Sequence, residues 1–426
     1  MKAITSLKVW VGTLPKSHAR MLRRFLLFLI IAVFCFNIYP YLMIPFDYHA
    51  LEQRYNNWVA DPSNLNFLLG DNDLYAYAGG KYVRGASPDE INFEHPPLAK
   101  YLIGLSILVF NNPNVPSVVL GILSLLVLYE LSKKLFGASL FALVPMYILS
   151  LERLFTQFSS TSMLDIYLVF FLLLSALLLL YADSSTRLIV GAIALGLATA
   201  CKLTAALAVP SLVIGVIWNR RDAAKSLLGV MLVAALTYCV SYTQFFLLGH
   251  SLTDFFELQW KMLMFQFGRR YGMSYPAGRL LLTLLTGIVG PETHNVIYVD
   301  EVSRSIRVVT TYGLAMAREF NPLTWPLSFS GSIISFFEAI RSRNRTILKS
   351  CVFFFSFLLP FILGQGFVWY FLPAFPIGFL LLTSVLRNMY QNSSRERFVW
   401  FLLAYLATLL VWQKYFILPS FVELHH

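Results

Sequence analysis

Charge is what this sequence has least of. Only 13% of its 426 residues are Asp, Glu, Lys or Arg, against 58% hydrophobic and 16% aromatic, and mean hydropathy is +0.66. Soluble domains carry roughly 25% charge and about 45–50% apolar residues. The shortage therefore excludes a soluble fold and requires a polytopic membrane protein. Cysteine is scarce as well. Cys35, Cys201, Cys239 and Cys351 each lie within or at the edge of an apolar run, so they read as small core residues rather than a disulfide framework. A small-residue cleavage site is missing after the first apolar run, near Phe25, so that run is expected to remain as a membrane anchor. Acidic residues are outnumbered, 22 against 33 basic, for a net charge of +11. Most of that excess falls in short loops, where it sets orientation; it is not a nucleic-acid signature.

What is there is a series of apolar runs. A helical span needs about 20 apolar residues to cross a hydrocarbon core about 30 Å thick. The first runs from Phe25 to Phe46, behind Lys16, Arg20, Arg23 and Arg24, which place the N-terminus in the cytoplasm. Leu98–Phe110 is apolar but too short to cross, so it reads as an interfacial or re-entrant helix, ended by Asn111, Asn112, Pro113 and Asn114. Further spans are expected at Val118–Leu131, Leu135–Leu151, Met163–Tyr181, Leu188–Ala200, Leu203–Trp218, Leu227–Leu248, Trp325–Ile340, Leu348–Leu363, Trp369–Leu386 and after Arg397. Arg153–Ser162 reads as a short outer loop, and Phe255–Phe267 as an amphipathic piece on the membrane surface. The expected architecture is all-α, with about eleven transmembrane helices. That count puts the basic clusters at 16–24, 133–134, 220–225, 341–349 and 387–397 on one side. The chain divides into a transmembrane module (1–248, with a first outer loop at 47–115), an extracytoplasmic loop (249–325) and C-terminal transmembrane helices (326–426). The cell membrane is the expected location, with the functional site and C-terminus outside.

The polar stretch Gly70–Lys100, GDNDLYAYAGGKYVRGASPDEINFEHPPLAK, sits between these runs. Asp71 reads as a general base for an acceptor hydroxyl, or as an N-cap of the helix that follows. Asp73 is the competing base. Glu94-His95-Pro96-Pro97 opens the Leu98 helix, with two prolines to stiffen it. A metal held by Asp71, Glu94 and His95 fits no standard spacing. Arg153 and Asp165 flank the short outer loop, either as a structural ion pair or as site residues. Lys202 interrupts apolar spans, either snorkelling to the interface or neutralising a phosphate. Arg269 and Arg270 carry the same two readings. Ionisable groups at membrane depth are expensive and mark functional sites.

Several of these stretches coincide with one family. The chain resembles the GT-C superfamily of polyprenyl-phosphate-sugar-dependent glycosyltransferases, closest to the archaeal and bacterial type of protein O-mannosyltransferase. The resemblance rests on Asp71-Asn72 with Tyr75, on Asn92-Phe93-Glu94-His95-Pro96-Pro97-Leu98-Ala99-Lys100, on Met163-Leu164-Asp165, on Lys202-Leu203-Thr204 and on Tyr370-Phe371-Leu372-Pro373-Ala374-Phe375-Pro376. Glu-x-Pro-Pro also recurs in aminoarabinose transferases of lipid A. The resemblance implies an inverting single displacement with Asp71 as base. It implies that Asn72, Asp73, Tyr75, Glu94, His95, Arg153 and Asp165 bind substrate, and that Lys202, Arg269 and Arg270 hold the lipid phosphate. No cofactor or metal is required. The implied partners are a polyprenyl-phosphate-linked sugar, with mannose first, and a protein Ser/Thr or glycan acceptor. Other readings are transfer of aminoarabinose or a pentose to a lipid or glycan, a non-catalytic binder of polyprenyl phosphate, and a transporter. A transporter would show internal repeats and mid-membrane charges; neither is evident. Two positions depart from the family: Asn72 stands where an acid is usual, and Pro116-Ser117-Val118 lacks the Arg common at the second span. The motif Trp-Trp-Asp-Tyr-Gly is absent, which argues against an oligosaccharyltransferase.

Overall fold

The computed structural model describes residues 16–62, 64–220, 222–268, 278–299, 306–364 and 366–413. Its body is helical, because apolar backbone without water must satisfy its own N–H and C=O groups. α1 (Lys16–Leu42) leads to the polar α2 (Tyr48–Ala60), capped by Asp47, which accepts from the His49 and Ala50 amides. α3 (Asp71–Tyr82), α4 (Leu98–Phe110) and α5 (Val115–Phe136) follow. α4 covers the run read as a short helix, and Asn111 ends it in a left-handed conformation at φ 49.

The next elements are α6 (Val144–Ser150), α7 (Arg153–Ser159), α8 (Leu164–Leu179), α9 (Ser185–Cys201), α10 (Val209–Asn219), α11 (Ala223–Val240), α12 (Thr243–Leu247), α13 (Leu252–Gly268) and α14 (Arg279–Thr286). A ribbon of β1 (Ile288–Val299) and β2 (Ile306–Met316) pairs antiparallel, from Ile288 against Met316 to Val299 against Ile306, with an irregularity at Ile288–Gly290. α15 (Trp325–Arg341), α16 (Arg345–Leu363), α17 (Phe375–Asn392) and α18 (Arg395–Trp412) complete the described fold. The ribbon is the one strand pair among the described residues. It lies where a loop is expected, and the signal was legible: Val, Ile, Thr and Tyr crowd both strands.

The count of eleven spans is not confirmed. Among the described residues four helices are long and apolar enough to cross a bilayer, or five if a bent pair is one span. That pair is α7 and α8, which meet at 107°, so Arg153–Ser162, expected as a loop, is mostly a helix set across the next one. Three other expected spans are divided. The 3-10 turns Leu140–Leu143, Leu203–Ala208 and Val368–Phe371 precede α6, α10 and α17, each of which carries Pro in its first turn. Proline cannot donate to the preceding turn, so each helix starts afresh there.

The basic loops gather at one end. Arg23 donates to the Ala138 carbonyl, and Arg387 Nη1 to the Leu135 carbonyl at 3.1 Å. Asn388 Nδ2 donates to Glu338 Oε2 at 2.7 Å. Lys349 Nζ donates to the Leu180 carbonyl at 3.0 Å and to Asn219 Oδ1 at 2.5 Å. These bonds chain all the basic clusters together.

Candidate functional site

The site is built on a close helix contact. α3 and α4 cross at Gly79 and Gly104, where a Cβ on either would run into the other's backbone. Backbone therefore touches backbone, and the chain entering α4 is drawn against the start of α3. Tyr48 lies against Gly80 and donates to the Tyr77 carbonyl at 3.0 Å. Lys81 pairs with Glu52 on α2, and that hydrogen bond holds the Glu52 carboxyl below its ordinary range.

Asp71 is the first residue of α3. Gly70 is the N-cap, without a side-chain cap bond, so the capping alternative for Asp71 does not hold. Asp71 is exposed, and its negative charge complements the helix dipole. Asp73, the competing base, is engaged: Arg54 Nη2 lies 2.9 Å from its Oδ2, and Asn72 Nδ2 donates to its Oδ1 at 2.9 Å. The Asn72 carbonyl accepts from Ser162 Oγ at 2.8 Å, which ties the start of α3 to the start of α8.

Around Asp71 four elements converge. Tyr75, 4% exposed, lies within electrostatic reach of Asp71, Asp165, Glu94 and Tyr370. The His95 ring meets it edge-on at 5.9 Å. Asp165, in the first turn of α8, is 2.8 Å from the Lys202 ammonium, just past α9, and both are buried. Lys202 lies 5.1 Å over the Tyr370 ring and within electrostatic reach of Asp71. Asp71 and Asp165 thus stand within reach of the Lys202 ammonium, and Glu94 joins them around Tyr75.

Not every candidate joins them. Arg153 does not pair with Asp165. Its Nη1 donates to the Arg318 carbonyl at 2.6 Å, and its charged neighbours are Glu319 and Arg318, so it braces the segment before α15. The cause is the turn of α7 across α8, together with the closer Lys202 ammonium. Arg269 and Arg270 lie outside the described residues. Four further residues were given no role in the sequence reading. Glu152 is fully buried and accepts from Thr324 Oγ1 at 2.9 Å and Trp325 Nε1 at 2.8 Å. Lys100 is buried beneath the Glu94 turn, while Lys261 and Gln266 reach that turn from α13. A lone Lys or Glu in an apolar run is a legible signal; a Gln on a distant amphipathic helix is not.

Residues 94–243 match the model of a family described as dolichyl-phosphate-mannose-protein mannosyltransferase. The match covers 150 of the 426 residues, and over that stretch the chain is similar to this family. The mannosyltransferase-like stretch holds Glu94, His95, Lys100, Asp165 and Lys202, with Asp71 and Tyr370 outside it. Two solved structures share the fold. The chain is 15% identical to ArnT from Cupriavidus metallidurans in the apo state, at a TM-score of 0.55. It is 16% identical to the same protein bound to undecaprenyl phosphate, at 0.57. Each alignment covers 84% of this chain and 59% of the ArnT chain, so the chain spans about three fifths of the length of the proteins it matches. No curated protein matches the sequence.

Proposed function

We propose that this protein is a membrane glycosyltransferase that takes a sugar from a polyprenyl phosphate and transfers it to an acceptor hydroxyl on the extracytoplasmic face. The observation that carries the reading is the convergence of Asp71, Tyr75, Glu94, Asp165 and Lys202. In the proposed step Asp71 takes the acceptor hydroxyl proton. The freed oxygen forms its bond to the anomeric carbon as the bond from that carbon to the phosphate oxygen breaks. Polyprenyl phosphate leaves with the electron pair, and the anomeric centre inverts. Asp71 suits this role because it lies within electrostatic reach of both Tyr75 and Lys202. Lys202 offers charge to the leaving phosphate, and Asp165 holds it in place. Glu94, His95 and Tyr75 bind the sugar. The donor phosphate is expected to draw on cations besides Lys202, with Arg269 and Arg270 as candidates. The match to the mannosyltransferase family favours mannose as the sugar. The likeness to ArnT equally favours aminoarabinose on undecaprenyl phosphate.

The deciding assay offers purified full-length protein dolichyl-phosphate mannose, undecaprenyl-phosphate mannose and undecaprenyl-phosphate aminoarabinose, each with peptide, glycan and lipid acceptors. Wild type is expected to transfer one sugar. Asp71→Asn is expected to lose about 10²–10⁴-fold in kcat, the range of a general base, with donor binding retained. Full activity in Asp71→Asn removes the assigned base, and donor binding without transfer in wild type replaces the enzyme with a binding protein.

A further inference from the structure

The Glu94–His95 turn is held from two sides. On its inner side lies Lys100, fully buried in the first turn of α4. The Lys100 ammonium donates to the His95 carbonyl at 2.8 Å, to the Asn92 carbonyl at 2.5 Å and to Asn92 Oδ1 at 3.1 Å. Asn92 sits at φ 51, a left-handed conformation that Asn tolerates better than most residues. The chain therefore curls around one buried amine, and its oxygens cannot leave without stranding a buried donor. Pro96 and Pro97 stiffen the exit. This inner side is a fixed anchor.

The outer side is α13. Gln266 Nε2 donates to the Glu94 carbonyl at 2.8 Å and lies 3.5 Å from His95 Nδ1. One residue earlier, Phe265 meets the Phe93 ring edge-on at 5.5 Å, and Lys261 Nζ stands 4.2 Å over the same ring. The inner face of α13 packs on Tyr242 and Phe245. We infer that Gln266 is a positioning residue: through the Glu94 carbonyl it presses the turn onto the Lys100 anchor and so aims Glu94 and His95 at Asp71 and Tyr75. The inference rests on the proposed transfer reaction, and it adds a helix far along the chain to the machinery of that site.

The test uses full-length protein in nanodiscs, with two readouts. The first is hydrogen exchange of the Phe93, Glu94 and His95 amides, which needs no turnover. Gln266→Leu removes the donor and is expected to speed exchange there about fivefold, the effect of one hydrogen bond, and not in α8 or α9. The second is sugar transfer. Gln266→Leu and the isosteric Gln266→Glu are expected to lower kcat about tenfold, as a slightly misplaced site does, with donor KM within about twofold. Gln266→Lys, which differs in shape but keeps an N–H donor, is expected to restore most of kcat. Glu257→Gln, exposed on the same helix, should leave both readouts unchanged. Unchanged exchange in Gln266→Leu overturns the clamp. Faster exchange with unaltered kcat overturns its positioning role, as does equal loss in Gln266→Lys and Gln266→Glu. A wild type that transfers no sugar defeats the proposed function instead, and exchange alone then decides whether the clamp exists.

Discussion

At the scale of single residues, the pair Asp165–Lys202 decides most. Both side chains are buried, at 2% and 4% exposure, and their charged atoms are 2.8 Å apart. Removing one partner of such a pair leaves an uncompensated buried charge and costs about 3–5 kcal/mol, whereas removing both is far milder. Lys202→Met is therefore expected to lower thermal stability and donor affinity together. Adding Asp165→Asn should recover the stability and leave donor affinity low. Unfolding in detergent and binding of labelled donor lipid separate the two effects. A double variant that regains donor affinity would mean that Lys202 only balances Asp165 and does not serve the phosphate.

At the scale of elements, the α3–α4 crossing sets the site. Gly104 meets the Gly79 carbonyl directly, so any side chain there forces the helices apart. The displacement would carry Lys100, and with it Pro97 and Glu94, away from Asp71. Gly104→Val is expected to reduce transfer about a hundredfold, since a shift near 1 Å suffices for that, and to lower the unfolding temperature. Gly229 in α11 is the control, because nothing lies near its missing Cβ. Gly229→Ala should preserve transfer and leave stability unchanged or raised by up to about 1 kcal/mol. Equal tolerance of both substitutions would show that the tight crossing is not needed for the site.

At the scale of the whole molecule, hydrogen bonds link the basic loops to one another, and none of those bonds involves Asp71, Glu94, Asp165 or Lys202. Such a division is what an asymmetric membrane protein needs, with Lys and Arg retained on the cytoplasmic side. The expected orientation is checked with single cysteines on a cysteine-free background in intact cells. Asn56→Cys on α2 should react with a membrane-impermeant maleimide. Lys225→Cys, in the first turn of α11, should react only after the membrane is opened. Reversed labelling would turn the proposed site toward the cytoplasm.

The membrane class, the helical body and the α4 boundaries were legible in the sequence, because apolar runs and proline or asparagine stops are local signals. The polar stretch from Asp71 to Lys100 was legible too, because charge in so apolar a chain is conspicuous. Partners were not. Asp165 was read beside Arg153, its neighbour along the chain, and the fold instead brings Lys202 to it from the end of α9. Asp73 was read as the competing base, and its ion pair with Arg54, from α2, was not legible. The span count followed hydropathy, which is blind to a helix that breaks at Pro145, Pro210 or Pro376 and restarts. Composition and periodicity are properties of the chain and settle what each segment becomes. Which charge meets which depends on contacts between residues far apart in sequence, and only packing in three dimensions creates those.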